Sequence, residues 1–311
     1  KNPPLQFTEG WNYSETTNKK AAWMENWTNY RNMAFGNGKL YVVDAVNGKV
    51  KIVKAQTAEL IGELNMSGVD GGALKLVDVA FVDGKVVGTN IATTALNPLK
   101  VYVWDTDESA PRVLLETTDL GGMDRVGDAI EIKGNLTNGT ICYLGQQSRS
   151  YTDASGNAKT GNCNSLITYA ISNGVASKTP VKADIDGFVI GLSPRAIPYG
   201  NDFWVAGQNY RASIITSNGQ LTASITDKAL SALQGNDIVP FTFKGDTYAF
   251  ATDYDAGTSG DASSMLKNGR AVLIAAAQSW ADATAEGSYP SAGLSATRNT
   301  SLSSSICVNV N

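Results

Sequence analysis

The feature that most constrains the fold is a short motif that recurs along the chain: a strand pattern, a glycine turn and a second strand. Ala80-Phe81-Val82-Asp83-Gly84-Lys85-Val86 closely repeats Ala34-Phe35-Gly36-Asn37-Gly38-Lys39-Leu40. Weaker copies follow, and successive turn glycines lie roughly 45 to 66 residues apart, close to the length of a propeller blade. The turn glycines are Gly38, Gly84, Gly134, Gly200 and Gly245.

Further strand patterns follow each of these turns. Between the two alternating runs of 34–53, Asn47-Gly48 predicts a type I′ turn with positive φ at both residues. Third strands are predicted at 50–53, 100–104, 166–169, 212–215 and 271–274, and fourth strands at 59–64 and 112–115. This pattern predicts an all-β fold, a β-propeller of about six blades of up to four antiparallel strands.

The two ends of the chain differ from the repeats. A sixth inner strand is predicted at 303–310, and aromatic residues concentrate near the N-terminus at Trp11, Tyr13, Trp23, Trp27 and Tyr30. We therefore divide the chain into 1–30, an aromatic-rich segment that packs on or closes the propeller, and 31–311, the β-propeller. Because Trp and Tyr faces also suit sugar rings, a binding platform is the alternative to a structural cap.

The longest interval between turn glycines contains a polar insert. Residues 145–162 have no apolar period, which predicts an extended hairpin loop that protrudes from a blade and is mobile, since it offers little apolar surface to offset the entropy of ordering. Cys142 and Cys163 flank it on strands that are expected to pair, so a disulfide in an oxidising compartment and two buried free thiols are both compatible with the sequence. Cys307 is left over and expected to be buried.

Composition excludes several classes of function. The 311 residues include no histidine, which removes Ser-His and Cys-His nucleophile pairs and the common zinc sites. The net charge is −4 without a basic run, so nucleic acid is not an expected partner. No stretch approaches the roughly 20 apolar residues of a membrane-spanning helix, so no transmembrane segment is predicted. The sequence begins at Lys1, so we expect that a leader has been removed.

One set of segments resembles a known group of proteins. The segments are Lys100-Val101-Tyr102-Val103-Trp104-Asp105, Glu108-Ser109-Ala110-Pro111, Arg125-Val126-Gly127-Asp128 and Gly134-Asn135-Leu136-Thr137-Asn138-Gly139. On these segments the chain resembles, over residues 31–274, an uncharacterised, domain-of-unknown-function family of secreted Bacteroidetes β-propeller proteins, often met as cell-surface lipoproteins. The resemblance implies export to the periplasm or outer cell surface, with a lipid anchor in the removed leader. It implies no reaction.

An acidic, glycine-rich segment is the one candidate metal site. Asp253, Asp255 and Asp261 could offer a calcium ion several oxygens on a flexible backbone. The segment departs from the EF-hand pattern, because Thr258 stands where that pattern needs Gly and Ser264 where it needs Glu. A solvated loop that binds no metal is the alternative, and we expect no other cofactor.

Charged and amide residues interrupt the apolar approach to each predicted inner strand. Inner strands run beside the central channel of a propeller, so these residues are expected to converge at one mouth. They are Arg31, Asn32, Asp78, Arg125, Asp128, Arg195, Asp237 and Arg298, with Trp27 and Tyr30 beside them. Two interpretations compete: mutual ion pairing that is purely structural, and a site where arginines hold a carboxylate or a hydroxyl-rich ligand.

These observations favour a non-catalytic secreted or cell-surface propeller, a binding or scaffolding module for glycan or protein ligands at the channel mouth. The alternative is a carboxylate-dependent carbohydrate-active enzyme, a glycoside hydrolase or lyase, since glycoside hydrolysis runs on two carboxylates without histidine. The chain has 29 acidic residues, and the sequence does not single out a catalytic pair among them.

Overall fold

The structure is a computed structural model. It describes residues 5–14, 17–26, 29–153, 155–185, 189–191, 193–208, 210–226, 228–230, 234–255, 267–276, 278–291 and 305–310. Within these residues the regular structure is β-strand, apart from short 3-10 turns such as Trp280–Asp282. No helix in the described part has the length and hydropathy needed to cross a bilayer.

The first two repeats each form a four-stranded antiparallel blade. Blade 1 is β1 (Tyr30–Gly36), β2 (Lys39–Asp44), β3 (Lys49–Lys54) and β4 (Leu60–Glu63). Blade 2 is β5 (Leu74–Val82), β6 (Lys85–Thr93), β7 (Leu99–Trp104) and β8 (Arg112–Thr117). The strands pair in chain order from the inside of each blade outwards.

Blade 3 is joined to blade 2 by a short strand, β9 (Arg125–Val126), which pairs with β6 and with the second strand of blade 3. Blade 3 itself consists of β10 (Glu131–Gly134), β11 (Gly139–Thr152), β12 (Ala158–Ser172), and an outer strand in two pieces, β13 (Val175–Ala176) and β14 (Val181–Asp184).

The last two blades described follow the same order. Blade 4 is β15 (Arg195–Tyr199), β16 (Asp202–Gln208), β17 (Tyr210–Ile215) and β18 (Leu221–Ser224), with β19 (Gln234–Gly235) added to β16 and β17. Blade 5 is β20 (Ile238–Phe243), β21 (Asp246–Asp255), β22 (Lys267–Ala275) and β23 (Thr284–Tyr289). The described residues thus form five blades, and the predicted all-β propeller of four-stranded antiparallel blades is confirmed.

The turn glycines lie where the repeat places them, between the first and second strands of each blade. Gly38, Gly84, Gly134, Gly200 and Gly245 all have positive φ. The prediction for Asn47-Gly48 was wrong in its turn type. Positive φ occurs at Gly48 but not at Asn47, because a four-residue turn joins β2 to β3 and Asp44 accepts the Asn47 backbone N–H at 2.9 Å. Within residues 34–53, the turn in which both residues have positive φ is Asn37-Gly38.

The polar insert is a β-hairpin, formed where β11 and β12 continue beyond the blade. β11 and β12 pair in continuous register from Gly139 opposite Ile171 to Thr152 opposite Ala158. Asp153 stabilises the turn, since its carboxylate accepts the backbone N–H groups of Ser155 and Asn157 at 2.9 and 2.8 Å. The mobility of this hairpin stays a prediction.

The register of this hairpin also decides the state of two cysteines. Cys142 lies opposite Thr168, whereas Cys163 lies opposite Gln147, so the two Cα atoms are separated along the hairpin by on the order of 15 Å. Both are buried free thiols, and the disulfide alternative is wrong. Cys307 is also free and is half-buried, not fully buried as expected. Burial raises the pKa of Cys142 to about 12.

Apolar clusters fill the junctions between consecutive blades. Tyr41 and Trp104 lie in the cluster between blades 1 and 2, and Tyr143 and Tyr169 in that between blades 2 and 3. Phe203 belongs to the cluster between blades 3 and 4, and Trp204 and Trp280 to that between blades 4 and 5. This packing holds the inner strands side by side around one axis.

The two terminal segments lie between blade 5 and blade 1. The Phe7 ring contacts Phe250 and Tyr289 of blade 5, and the Trp11 Nε1–H donates to the carbonyl of Ala55 after β3, at 2.8 Å. In the C-terminal segment, the Ile306 N–H donates to Asp237 Oδ2 at 2.9 Å. Residues 305–310 contain no assigned strand, and the predicted start of that strand lies outside the described residues. The division at residue 30 stays a prediction.

Candidate functional site

The inner strands place one polar side chain each at the centre of the propeller. Neighbouring inner strands β1, β5, β10, β15 and β20 contact one another. These polar side chains belong to residues near the start of each strand, where the chain enters from the preceding blade. The residues are Asn32 in β1, Asp78 in β5, Glu131 in β10, Arg195 in β15 and Asp237 just before β20. We call these five residues the inner cluster.

The Arg195 guanidinium forms the centre of the inner cluster. Its Nη1 lies 3.1 Å from Asp78 Oδ2 and 2.9 Å from Glu131 Oε1, and its Nε lies 3.7 Å from Asp237 Oδ1. Its Nη2 donates to Asn32 Oδ1 at 3.3 Å. The arginine side chain is only 6% exposed. Residues from all five blades therefore meet at one buried cation.

Backbone amides hold two of the carboxylates in place. Asp78 accepts the N–H groups of Val79 and Ile130, both at 2.8 Å, and so joins blade 2 to blade 3. Asp237 accepts the N–H of Ile306 and so attaches the C-terminal segment. A carboxylate that accepts such bonds is oriented before any ligand arrives.

Three carboxylates share this single guanidinium, which makes their ionisation unfavourable. Burial raises the pKa of Glu131 to about 7, and although Arg195 opposes the shift, Asp237 and Asp78 add to it. Burial likewise raises the pKa of Asp237 to about 6 and raises that of Asp78. Burial alone would lower the pKa of Arg195, but the surrounding carboxylates raise it above its ordinary value. The inner cluster therefore holds a proton more readily than three ordinary carboxylates would.

Glu131 is the member of the inner cluster that water reaches. Its side chain is 27% exposed, whereas that of Asp78 is fully buried and that of Asp237 nearly so. Solvent can therefore reach Glu131, the carboxyl group of the inner cluster whose pKa lies nearest to neutrality.

A second group of charges, the outer cluster, consists of Arg31, Arg125, Asp128 and Ser193. Arg31 Nη2 lies 2.8 Å from Asp128 Oδ1, and Arg125 approaches the same carboxylate with Nε at 2.8 Å from Oδ2 and Nη2 at 2.6 Å from Oδ1. Arg31 Nη2 also donates to Ser193 Oγ at 3.3 Å. The Asp128 side chain is 2% exposed, but those of Arg31 and Arg125 are 15% and 33% exposed. Hydrogen bonding to Asp128 raises the pKa of Arg125.

The structure brings together most of the predicted mouth residues in these two clusters. The Asn32 Nδ2–H bonds the carbonyls of Val77 and Asp128 at 3.0 and 3.5 Å and so connects the clusters. Tyr30 instead donates its hydroxyl to the carbonyl of Trp23 at 2.8 Å and packs edge-on against that indole. Arg298 and Trp27 lie outside the described residues.

The predicted calcium ligands are only partly described. Asp253 is buried and accepts a bond from Arg270 Nη2 at 3.0 Å, across the β21–β22 pair. The side chain of Asp255 and the whole of Asp261 lie outside the described part. Among described residues, no group of three or more acids or cysteines could hold a metal ion. Calcium binding stays a prediction.

Sequence reasoning missed Glu131 and Ser193. Glu131 belongs to an alternating strand, Ile130-Glu131-Ile132-Lys133, whose polar positions are indistinguishable from those of a solvent-facing strand. Only the propeller geometry shows that this polar face turns towards the axis. The one available signal was the position of Glu131 close to the start of an inner strand, where other copies carry a charge.

Comparison with known proteins supports the fold and does not assign an activity. No protein-family model matches the chain, and no curated protein sequence matches it significantly. Among solved structures, a DUF4623 family protein from Bacteroides eggerthii DSM 20697 is similar, with a TM-score of 0.58 and 15% identity over 81% of this chain. The chain spans 55% of the length of that protein.

Two other solved structures are similar at lower TM-scores. A putative TolB from Agrobacterium tumefaciens has a TM-score of 0.49 and 14% identity, covering 94% of this chain and 90% of that one. A GH43_1 enzyme from Xanthomonas citri complexed with xylose has a TM-score of 0.45 and 12% identity, covering 73% and 82%. At such identities the similarity concerns the fold and does not extend to activity.

Proposed function

We propose that this chain is a non-catalytic binding module, exported to the periplasm or the outer cell surface, that holds a carboxylate-bearing glycan or protein ligand at the channel mouth. The observation that carries the proposal is the outer cluster, in which two partly exposed guanidinium groups share one buried carboxylate. Two cations against one anion leave a net positive charge where solvent has access.

The chemistry of the outer cluster suits an anionic ligand. A guanidinium offers five N–H donors in a planar fork that matches a carboxylate in a bidentate manner. Asp128 orients Arg31 and Arg125 from below, so their exposed edges are held without a ligand, which lowers the entropy cost of binding. A ligand carboxylate would supply the second anion and neutralise the site.

The inner cluster supports the non-catalytic part of the proposal. General acid–base catalysis needs carboxylates that can reach a substrate, whereas Asp78 and Asp237 are buried and bonded to backbone amides. Glu131 is the exception, because a pKa of about 7 and partial exposure are properties of a general acid. A carbohydrate-active enzyme that uses Glu131 is therefore the alternative, although Glu131 is held 2.9 Å from Arg195.

The export part of the proposal rests on resemblance. The similar segments point to secreted Bacteroidetes proteins of unknown function, and the Bacteroides DUF4623 protein is similar in fold. Membership of that family and attachment through a lipid anchor are part of the proposal. Locating the full-length protein by fractionation and surface protease treatment of the source cells would test both export and anchoring.

A glycan array containing acidic and neutral oligosaccharides, run beside a reducing-sugar release assay, tests the binding proposal. We expect retention of uronic-acid-containing glycans without release of reducing ends. Arg125→Ala should abolish retention, and Arg112→Ala, a half-exposed arginine that pairs with Asp105 on blade 2, should not. Release of reducing ends that is lost in Glu131→Gln would overturn the proposal in favour of the enzyme.

A further inference from the structure

A cleft of about 820 Å³ lies between blade 5 and the terminal segments. Residues 7–13 form one wall, β21–β23 of blade 5 form another, and residues 306–309 contribute a third. The volume is within the range of about 300–1,000 Å³ typical of ligand sites. The outer cluster does not contribute to its lining, so the cleft is a separate feature of the molecule.

Aromatic side chains dominate this cleft. On the N-terminal wall, the rings of Trp11 and Tyr13 have centroids 5.4 Å apart and planes inclined by 39°. Phe7, on the same wall, contacts the blade 5 wall, and its ring centroid lies 5.2 Å from that of Phe250 and 5.1 Å from that of Tyr289. The bond from Trp11 Nε1 to the Ala55 carbonyl fixes the indole, so the aromatic surface is formed before any ligand binds.

Polar groups lie among these rings. The amide of Asn12, between Trp11 and Tyr13, donates from Nδ2 to Glu9 Oε2 at 3.3 Å. Asn12 Oδ1 and Ser288 Oγ, both on residues that line the cleft, are buried polar atoms without a hydrogen-bond partner in the protein. Because buried polar groups are nearly always bonded, a hydroxyl or water donor is expected at these atoms.

The charge of the cleft narrows the class of ligand. Glu9 is the only charged residue among the described residues that line it, and no lysine or arginine does. An anionic ligand would therefore gain no counter-charge from the described lining residues and would meet one carboxylate. Aromatic faces combined with amide, hydroxyl and carboxylate acceptors suit a ligand that has apolar ring faces and hydroxyl donors at its edges.

We infer that this cleft binds a neutral oligosaccharide, with sugar rings stacked on Trp11 and Tyr13 and hydroxyl groups donating to Asn12 and Glu9. The inference does not rest on the proposed function of the mouth. The two sites have opposite preferences, since the mouth favours a carboxylate and the cleft favours an uncharged polyhydroxyl ligand.

The test is a titration of the protein with cellohexaose, mannohexaose and maltohexaose, followed by tryptophan fluorescence and calorimetry. We expect at least one of these to bind, and Trp11→Ala to weaken that binding about tenfold or more. Trp23→Ala is a matched control. Its Nε1 also donates to a blade 1 carbonyl, that of Ala58, at 2.8 Å, but Trp23 does not line the cleft.

A second variant distinguishes loss of binding from loss of folding. Tyr13→Ala removes the ring beside Trp11 and keeps the bond from Trp11 to the Ala55 carbonyl, so it should weaken binding while leaving the melting temperature unchanged. No binding of any of the three hexasaccharides to the folded protein would overturn the inference. Equal losses of binding in Trp11→Ala and Trp23→Ala would also overturn it. Binding of oligogalacturonate that is abolished by Trp11→Ala would overturn it as well, because the cleft would then take an anionic ligand. Arg125→Ala removes binding at the mouth and should leave hexasaccharide binding in the cleft unchanged.

Discussion

The inner and outer clusters use the same residue types in opposite proportions. In the inner cluster one arginine lies among three carboxylates and is almost wholly buried, whereas in the outer cluster one buried aspartate lies between two partly exposed arginines. Burial, and not residue type, separates an ion network that is satisfied within the protein from one that keeps donors open to solvent. A buried charge must find its partners within the protein, but an exposed one retains donors for a ligand.

The largest expected effect is on the inner cluster. Arg195→Met leaves Asp78, Glu131 and Asp237 without their common cation, and we expect the free energy of unfolding to fall by about 3–5 kcal/mol. Urea denaturation measures this change. Arg112→Met on the surface of blade 2 is the control and should change stability by less than about 1 kcal/mol. Equal stability of Arg195→Met and wild type would show that the inner cluster is not structural.

A pH titration of stability follows from the same cluster. Because the folded-state pKa of Glu131 is raised to about 7, its contribution is present below the unfolded pKa of about 4.3 and is lost as the pH rises through about 7. Glu131→Gln mimics the protonated form permanently. The stability of this variant relative to wild type should therefore increase between about pH 4 and about pH 8. A difference that does not change with pH would contradict the raised pKa.

Arg125→Ala tests the outer cluster with a smaller effect on stability. Arg31 still pairs with Asp128 in this variant, so the carboxylate keeps a cation and the melting temperature should change little. Binding of an acidic glycan should weaken by about tenfold or more and should depend on salt concentration in the wild type. A large loss of stability with unchanged binding would assign the outer cluster to the structural class as well.

The smallest expected effect is on Asp153, a carboxylate that lies outside both clusters at the tip of the β11–β12 hairpin. Asp153→Ala removes the three bonds that Ser155 and Asn157 donate to this side chain in the turn of the β11–β12 hairpin. We expect an unchanged melting temperature and faster amide hydrogen exchange confined to the tip of the hairpin. A fall in the melting temperature would show that the hairpin tip packs against the rest of the propeller.

The sequence predicted the blades because their causes are local. A turn with positive φ favours glycine, and alternating β-formers on both sides of it favour a strand pair, so Gly38 and its copies located the blades. For 145–162 the same reasoning indicated a hairpin, and the structure adds how far the backbone pairing between β11 and β12 extends along a segment that has no apolar period. The reasoning failed for Asn47, because the side chain of Asp44 selects a different turn.

The candidate site was predictable only in part, for a related reason. Charges that interrupt an apolar approach stand out in the sequence, and Asp78, Asp128 and Arg195 were found in that way. Glu131 was not, because its neighbours in an alternating strand give no sign of which face meets the axis. The sequence likewise gave no means of dividing these charges between a buried network and an exposed one.

The repeating unit can be deduced from the amino acids alone, since turn glycines and strand periodicity act over a few residues and need no distant partner. The meeting of the charges depends on the assembled propeller. Five residues from five blades become neighbours only when those blades surround one axis, namely Asn32, Asp78, Glu131, Arg195 and Asp237. The raised pKa of Glu131 and the excess of arginine in the outer cluster depend on that arrangement. They are consequences of burial and distance, which no local pattern encodes.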